Sequence, residues 1–176
     1  GINPYKYAWV KLGFEESGLL MNGIKKLYDI GNPNNNMRFS EYLRFDFDAR
    51  QYFTNSKSKL ALRFYGGVGI PYGNSEVLPY IKQYFVGGAY SIRGWRPRAL
   101  GPGSYYNQQL NQSRDRLFID QAGDIKLEVN AEYRFPIIDL FAGAIKVNGA
   151  GFIDAGNIWY MKNTAELPGA AFQFRN

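Results

Sequence analysis

Ile125-Lys126-Leu127-Glu128-Val129-Asn130-Ala131-Glu132-Tyr133-Arg134-Phe135 alternates without a break between apolar and polar side chains. Ile125, Leu127, Val129, Ala131, Tyr133 and Phe135 take one side, and Lys126, Glu128, Asn130, Glu132 and Arg134 take the other. A period of two marks a strand with one apolar and one wet face. Pro136 is expected to end it, because proline cannot donate to a ladder. Working outward, residues 41–53 repeat the pattern. Leu43, Phe45, Phe47 and Ala49 stand opposite Arg44, Asp46, Asp48 and Arg50. Residues 59–70 set Leu60, Leu62, Phe64, Gly66, Val68 and Ile70 against Ala61, Arg63 and Tyr65. Residues 144–155 set Ile145, Val147, Gly149, Gly151 and Ile153 against Lys146, Asn148 and Asp154. Residues 5–15 make a fifth, weaker strand.

These strands run about ten to thirteen residues, whereas ordinary strands have five or six. A strand that spans a bilayer needs about 9–11. Aromatics gather at the strand ends: Tyr42, Tyr52 and Phe53, Tyr133 and Phe135, Trp159 and Tyr160. Interfacial girdles occupy such positions. A soluble sandwich with one wet face would explain the alternation, but neither the length nor the aromatic ends. Phe45, Phe47, Leu62, Phe64, Leu127 and Val129 are therefore expected to face lipid.

Composition narrows the chemistry. Aromatics make up 17% of the chain and glycine occurs 20 times, which favours strand over helix. No run of eighteen apolar residues exists, so a transmembrane helix is excluded. With no cysteine, a disulfide or thiolate–metal framework is excluded. With no histidine, the usual general base and commonest metal ligand are missing. No acidic loop suits a metal, so no cofactor is expected. The net charge of +6 comes from lysines and arginines scattered along strands, a pattern that does not suggest nucleic-acid binding. No leader-like segment stands at Gly1, so the chain reads as mature or as a fragment.

Two irregular stretches remain. Residues 17–40, with Asn-Pro and Asn-Asn-Asn, read as a surface loop with a short helical turn near 24–28. Residues 71–123 read mostly as loop, and loops of that length are usually functional or disordered. Their aromatic and arginine content argues against disorder. Residues 87–103 hold five glycines, two prolines and three arginines. The sharp group there is Arg93, followed by Gly94.

An arginine inside a barrel lumen must find acceptors, and its planar fork suits a carboxylate. Glu132 and Asp154 share the inward phase of neighbouring strands. If the chain reverses near Gly143, they come close together. An arginine between them would relieve their repulsion. Simple lumen polarity, as for Asp46 and Asp48, is the plainer reading of the two acids. Arg96 and Arg98 are expected to be solvated loop cations or lipopolysaccharide contacts.

Three motifs now stand in order: Tyr84 to Gly103 with Ile92-Arg93-Gly94-Trp95 at its heart, Ala131-Glu132-Tyr133-Arg134-Phe135-Pro136, and Phe152-Ile153-Asp154-Ala155-Gly156-Asn157. Together they resemble the C-terminal barrel of the BamA/TamA superfamily, the bacterial surface antigen family, over about residues 41–160. The resemblance implies an all-β fold: an antiparallel transmembrane β-barrel, present here as a partial barrel of about five strands with a long inward-folded loop. Residues 1–176 would form one partial domain. The other strands of a sixteen-stranded barrel and the periplasmic repeat domains would lie outside this sequence, as would the seam between first and last strands. The implied place is the outer membrane of a Gram-negative bacterium, and the implied work is insertion of β-barrel proteins or related protein translocation. Partners would be outer-membrane lipid and lipopolysaccharide, unfolded outer-membrane clients and accessory assembly proteins. Arg93, Gly94, Glu132 and Asp154 would form a structural lock rather than a catalytic site. A passive transporter or a secretion anchor is the alternative. An enzyme using Glu132 and Asp154 as a glycosidase-like pair lacks any second substrate-binding signature.

Overall fold

The computed structural model describes residues 5–29, 39–105, 120–141, 145–162 and 167–173. Five strands, β1 (Tyr5–Ser17), β2 (Tyr42–Thr54), β3 (Lys59–Pro71), β4 (Ile125–Leu140) and β5 (Ile145–Trp159), form one sheet. The order is β1-β2-β3-β4-β5, antiparallel throughout. The sheet is thus an open meander, a section of wall. Thirteen residues in each of β1 to β3 extend about 43 Å at ~3.3 Å per residue. Tilted by about 45°, they rise roughly 30 Å, the thickness of a bilayer's hydrocarbon core.

Register follows the alternation. Arg44, Asp46, Asp48 and Arg50 pair with Gly69, Gly67, Tyr65 and Arg63. Arg63, Tyr65 and Gly67 pair in turn with Asn130, Glu128 and Lys126. The charged residues therefore line one face. Phe45, Phe47, Leu62, Phe64, Leu127 and Val129 lie on the other; all but the half-buried Leu127 are more than a third exposed. Phe14 packs on Phe45 and Phe47 on Phe64 across strands of that outer face. Period two also overrides part of the expected girdle. Tyr42 and Tyr52 fall in the inward phase: Tyr42 is buried and donates to Glu15 at 2.6 Å, and Tyr52 stacks on Tyr7.

Pro136 does not end β4. The strand continues to Leu140 because the register shifts between Pro136 and Ile138. One extra residue, Ile137, absorbs the missing donor in a bulge, a position where proline is tolerated in a sheet. The bulge swaps the phase, so Ile138 and Leu140 pair with Val147 and Ile145 on the apolar side. The reversal expected near Gly143 lies outside the described residues.

The helix is also longer than the expected turn at 24–28. α1 spans Leu19–Asp29. Its start is set by Glu16, whose Oε1 accepts the Leu19 N–H at 2.7 Å.

The long β3–β4 connection folds back over the charged face. Tyr84 and Gly123 pair backbone to backbone at 2.9 Å, joining its two limbs. The small apolar core sits between this loop and the wall: Tyr84, Val86, Ile92 and Ile158, with Tyr65 and Leu100 against them.

Candidate functional site

The loop meets the wall at three levels, each built from an inward-phase side chain. At the first, Tyr84 lies over Gly67, where a side chain on the strand would collide with its ring. Its hydroxyl accepts from Arg44 Nε at 2.9 Å and lies 3.1 Å from Asp46 Oδ1. Burial pushes the Tyr84 hydroxyl's pKa up from its ordinary value, so it stays a neutral donor and acceptor.

At the second level stands Glu128, with no exposed side-chain surface. It accepts from Arg63 Nη1 at 2.5 Å, from Lys126 Nζ at 2.8 Å and from the Ser91 hydroxyl. Arg63 also reaches Asp48 at 3.0 Å and the Tyr90 carbonyl at 3.2 Å. Asp48 is shared with Arg50, whose Nη2 lies 2.9 Å away. Charge alternates along this row, so each buried carboxylate faces cations on both sides.

At the third level the loop tip carries Arg93. Its Nε and Nη2 donate to the two oxygens of Asp154 at 2.7 and 2.8 Å. Its backbone N–H donates to the same carboxylate at 3.1 Å, and its Nη1 pairs with Glu132. The guanidinium also lies 3.9 Å from the ring centre of Phe152, which stands opposite Glu132 in the ladder. Asp154 stands opposite Asn130, so the two acids are diagonal rather than directly opposed. Hydrogen bonds to Asp154 and then Glu132 hold the Arg93 pKa above its already high ordinary value. Gly94 follows with φ 85°, a turn that other L residues adopt only with strain.

Asn130 stitches the last two levels together. Its amide donates to the Ser91 carbonyl at 2.8 Å and to Asp154 at 3.0 Å. Beside the tip a cleft of about 470 Å³ opens between loop and wall, lined by Arg50, Arg63, Tyr90, Arg93 and Arg134 among others.

The sequence singled out Arg93, Gly94, Glu132 and Asp154, and the fold brings them together. It did not single out Glu128, Arg63, Asn130, Phe152 or Tyr84. Glu128 and Asn130 share the inward phase of Glu132, so the alternation held that information. Nothing in a single sequence tells which inward residue meets a loop more than thirty positions away. Arg98 departs from the solvated cation expected of it. Its guanidinium lies 4.2 and 4.6 Å from the ring centres of Tyr80 and Phe85, and its Nη1 is buried. Arg96 is a loop cation at the surface, 3.9 Å from an equally exposed Asp120.

Chemically, the site is an acceptor set already filled. Both oxygens of Asp154 and both of Glu132 receive N–H groups from the protein, the second oxygen of Glu132 from Arg134. Among the described residues no group of acids is arranged to hold a metal ion.

Residues 31–172, which contain the loop and its carboxylates, match the Omp85 superfamily domain. The outer membrane protein assembly factor BamA of Neisseria meningitidis serogroup B is 31% identical over 130 residues, 69% of this chain. The chain spans only about 15% of the length of that relative. No solved structure matches it.

Proposed function

The chain belongs to the Omp85 superfamily, and on that premise we propose that it is wall and lumen loop of a factor that inserts proteins into the outer membrane or passes them across it. The family places the protein in the outer membrane of a Gram-negative bacterium. In this reading the rest of the barrel and the periplasmic repeat domains come from the remainder of the protein. The clients are unfolded outer-membrane proteins, accessory assembly proteins attend, and lipid with lipopolysaccharide surrounds the wall.

The work is not bond chemistry. Arg93 acts as a lock that pins the loop tip to Asp154 and Glu132 and fixes the shape of the lumen. One observation supports this most: a loop residue gives three N–H groups to a single wall carboxylate. A catalytic acid pair would present an oxygen to its substrate, and here all four oxygens are taken by the protein.

Depletion of the full-length protein in its host tests the reading. The expected result is a fall in folded outer-membrane barrels, with unfolded clients accumulating in the periplasm. Unchanged barrels with loss of one secreted passenger, or of one solute's passage, would favour the anchor or transporter reading instead.

A further inference from the structure

α1 is built inside out for a helix on a protein surface. Its described apolar residues, Leu19, Leu20, Met21 and Ile24, are 66%, 79%, 51% and 53% exposed. Its least exposed described side chain is polar: Asn22, whose amide donates to the buried carboxylate of Glu41. At 100° per residue, Leu20, Met21 and Ile24 occupy one sector and Asn22 lies roughly opposite its centre. In the sequence the same spacing continues to Leu27 and Tyr28, with Lys25 and Lys26 falling outside that sector. A surface helix of a water-soluble protein buries its apolar stripe and exposes its polar one. Here the polar side is the one fastened to the protein.

The fastening is firm. Glu41 is 1% exposed and also accepts the Asn74 N–H at 2.5 Å, and its own N–H donates to Ser75 Oγ at 2.8 Å. Tyr72 ties the end of β1 to the same place, donating to Glu16 at 2.6 Å. The helix is thereby held with its apolar stripe turned outward. It follows directly on β1, whose outward residues Leu12 and Phe14 are 77% and 65% exposed. The apolar sheet face and the apolar helix stripe are successive in the chain.

We propose that α1 lies along the outer-leaflet boundary of the bilayer, its stripe among acyl chains. Helices with a large apolar moment and cationic flanks sit in that zone, about 5–10 Å into the headgroup boundary. The connection that carries α1 is the long kind, as is the one after β3, whereas β2 and β3 are joined by four residues. In outer-membrane barrels the long loops stand on the outer side and the short turns on the periplasmic side. α1 therefore belongs to the outer leaflet. It would anchor the rim of the wall in lipid while Asn22 and Glu41 couple it to the lumen loop.

The inference rests on the sheet's apolar face meeting lipid, and the test separates the two. Full-length protein is reconstituted in liposomes with an environment-sensitive fluorophore on a single introduced cysteine. The positions are Leu20→Cys and Ile24→Cys on the stripe, Phe45→Cys on the sheet face, and Glu76→Cys on the exposed β3–β4 loop. Brominated lipids should quench the Leu20 and Ile24 labels, more strongly when the bromines sit near the headgroup end of the acyl chain. The Phe45 label should be quenched and the Glu76 label should not. Quenching at Phe45 without quenching at Leu20 and Ile24 would overturn the helix proposal and leave the barrel standing. A blue-shifted but unquenched Leu20 label would assign the stripe to a protein partner or a second copy. No quenching at any position would overturn both readings.

Discussion

Asp154 accepts three N–H groups from Arg93 alone: Nε at 2.7 Å, Nη2 at 2.8 Å and the backbone N–H at 3.1 Å. The side-chain fork sets the direction of approach and the backbone bond sets the position of the loop itself. A charge without that fork could satisfy only part of the arrangement.

Arg93→Lys should therefore lose most of what Arg93→Ala loses, because one ammonium cannot grip Asp154 in two places and still reach Glu132. The loss should be about 1.5–3 kcal/mol, the range for hydrogen bonds to charged groups. It falls short of a fully desolvated pair because the Arg93 side chain is 22% exposed. The readout is the temperature at which the full-length barrel loses its compact migration in detergent gels. Arg96→Ala, which removes only a loose surface pair at 3.9 Å, should stay within about 0.5 kcal/mol. Equal effects of the two substitutions would remove Arg93 from its special place.

Glu128→Gln should cost more than Arg93→Ala, about 3–5 kcal/mol. Glu128 is the only one of the two residues with no exposed side-chain surface. Its loss of charge strands Lys126 and leaves Arg63 dependent on Asp48. Ser91→Ala deletes one neutral donor to Glu128 and the acceptor of the Gly87 N–H at 3.1 Å, and should cost about 1–2 kcal/mol. Denaturant midpoints in micelles give the order. A Ser91→Ala effect larger than that of Glu128→Gln would mean that the loop, not the charge row, carries this level.

The fold was legible where the period was unbroken. Residues 43–49, 60–70 and 125–135 show their two faces directly, since lipid and lumen impose the alternation. It failed at Pro136, where a bulge rescues the strand by spending one residue, Ile137. It failed at Tyr42 and Tyr52, where a residue-type argument about girdles contradicted the phase. At the site, the inward phase of Glu132 and Asp154 could be read, as could the singular Arg93-Gly94. The partners of Tyr84, Ser91 and Arg98 could not, because loop-to-wall contacts have no period. Even the inward glycines under the loop look, in sequence, like any other strand glycine.

Asp124, just before β4, is 8% exposed, and burial raises its carboxyl pKa. The Met161 N–H at 3.1 Å and the charge of Lys162 offset this in part. A folded-state value above the unfolded one means that folding takes up a proton. The stabilisation is complete below about pH 4, the ordinary carboxylate value, and fades as pH rises through the raised folded value. Asp124→Asn keeps an oxygen for Met161 and removes the charge. Relative to the unsubstituted protein, its heat resistance should gain between mildly acidic and neutral pH. A constant difference across that interval would show that Asp124 does not titrate there.

Gly66 and Gly67 are neighbours on β3 that face opposite ways, and only Gly67 lies under the loop. A Cβ on Gly67 would stand 2.5 Å from Cε1 and 2.7 Å from Cζ of Tyr84. The ring cannot retreat freely, because Tyr84 is 3% exposed and its hydroxyl is held by Arg44 at 2.9 Å. A Cβ on Gly66 would meet Leu127 at an ordinary 3.6 Å on the outer face. Gly67→Ala should therefore cost about 1–3 kcal/mol by overpacking and open the loop to protease added outside. Gly66→Ala should stay within about 0.5 kcal/mol, with the loop still protected. Because the two sites share one strand, backbone stiffening acts on both alike and cancels in the comparison. Equal protection in the two variants would mean that the loop is held by its carboxylate contacts alone and that Tyr84 can move aside.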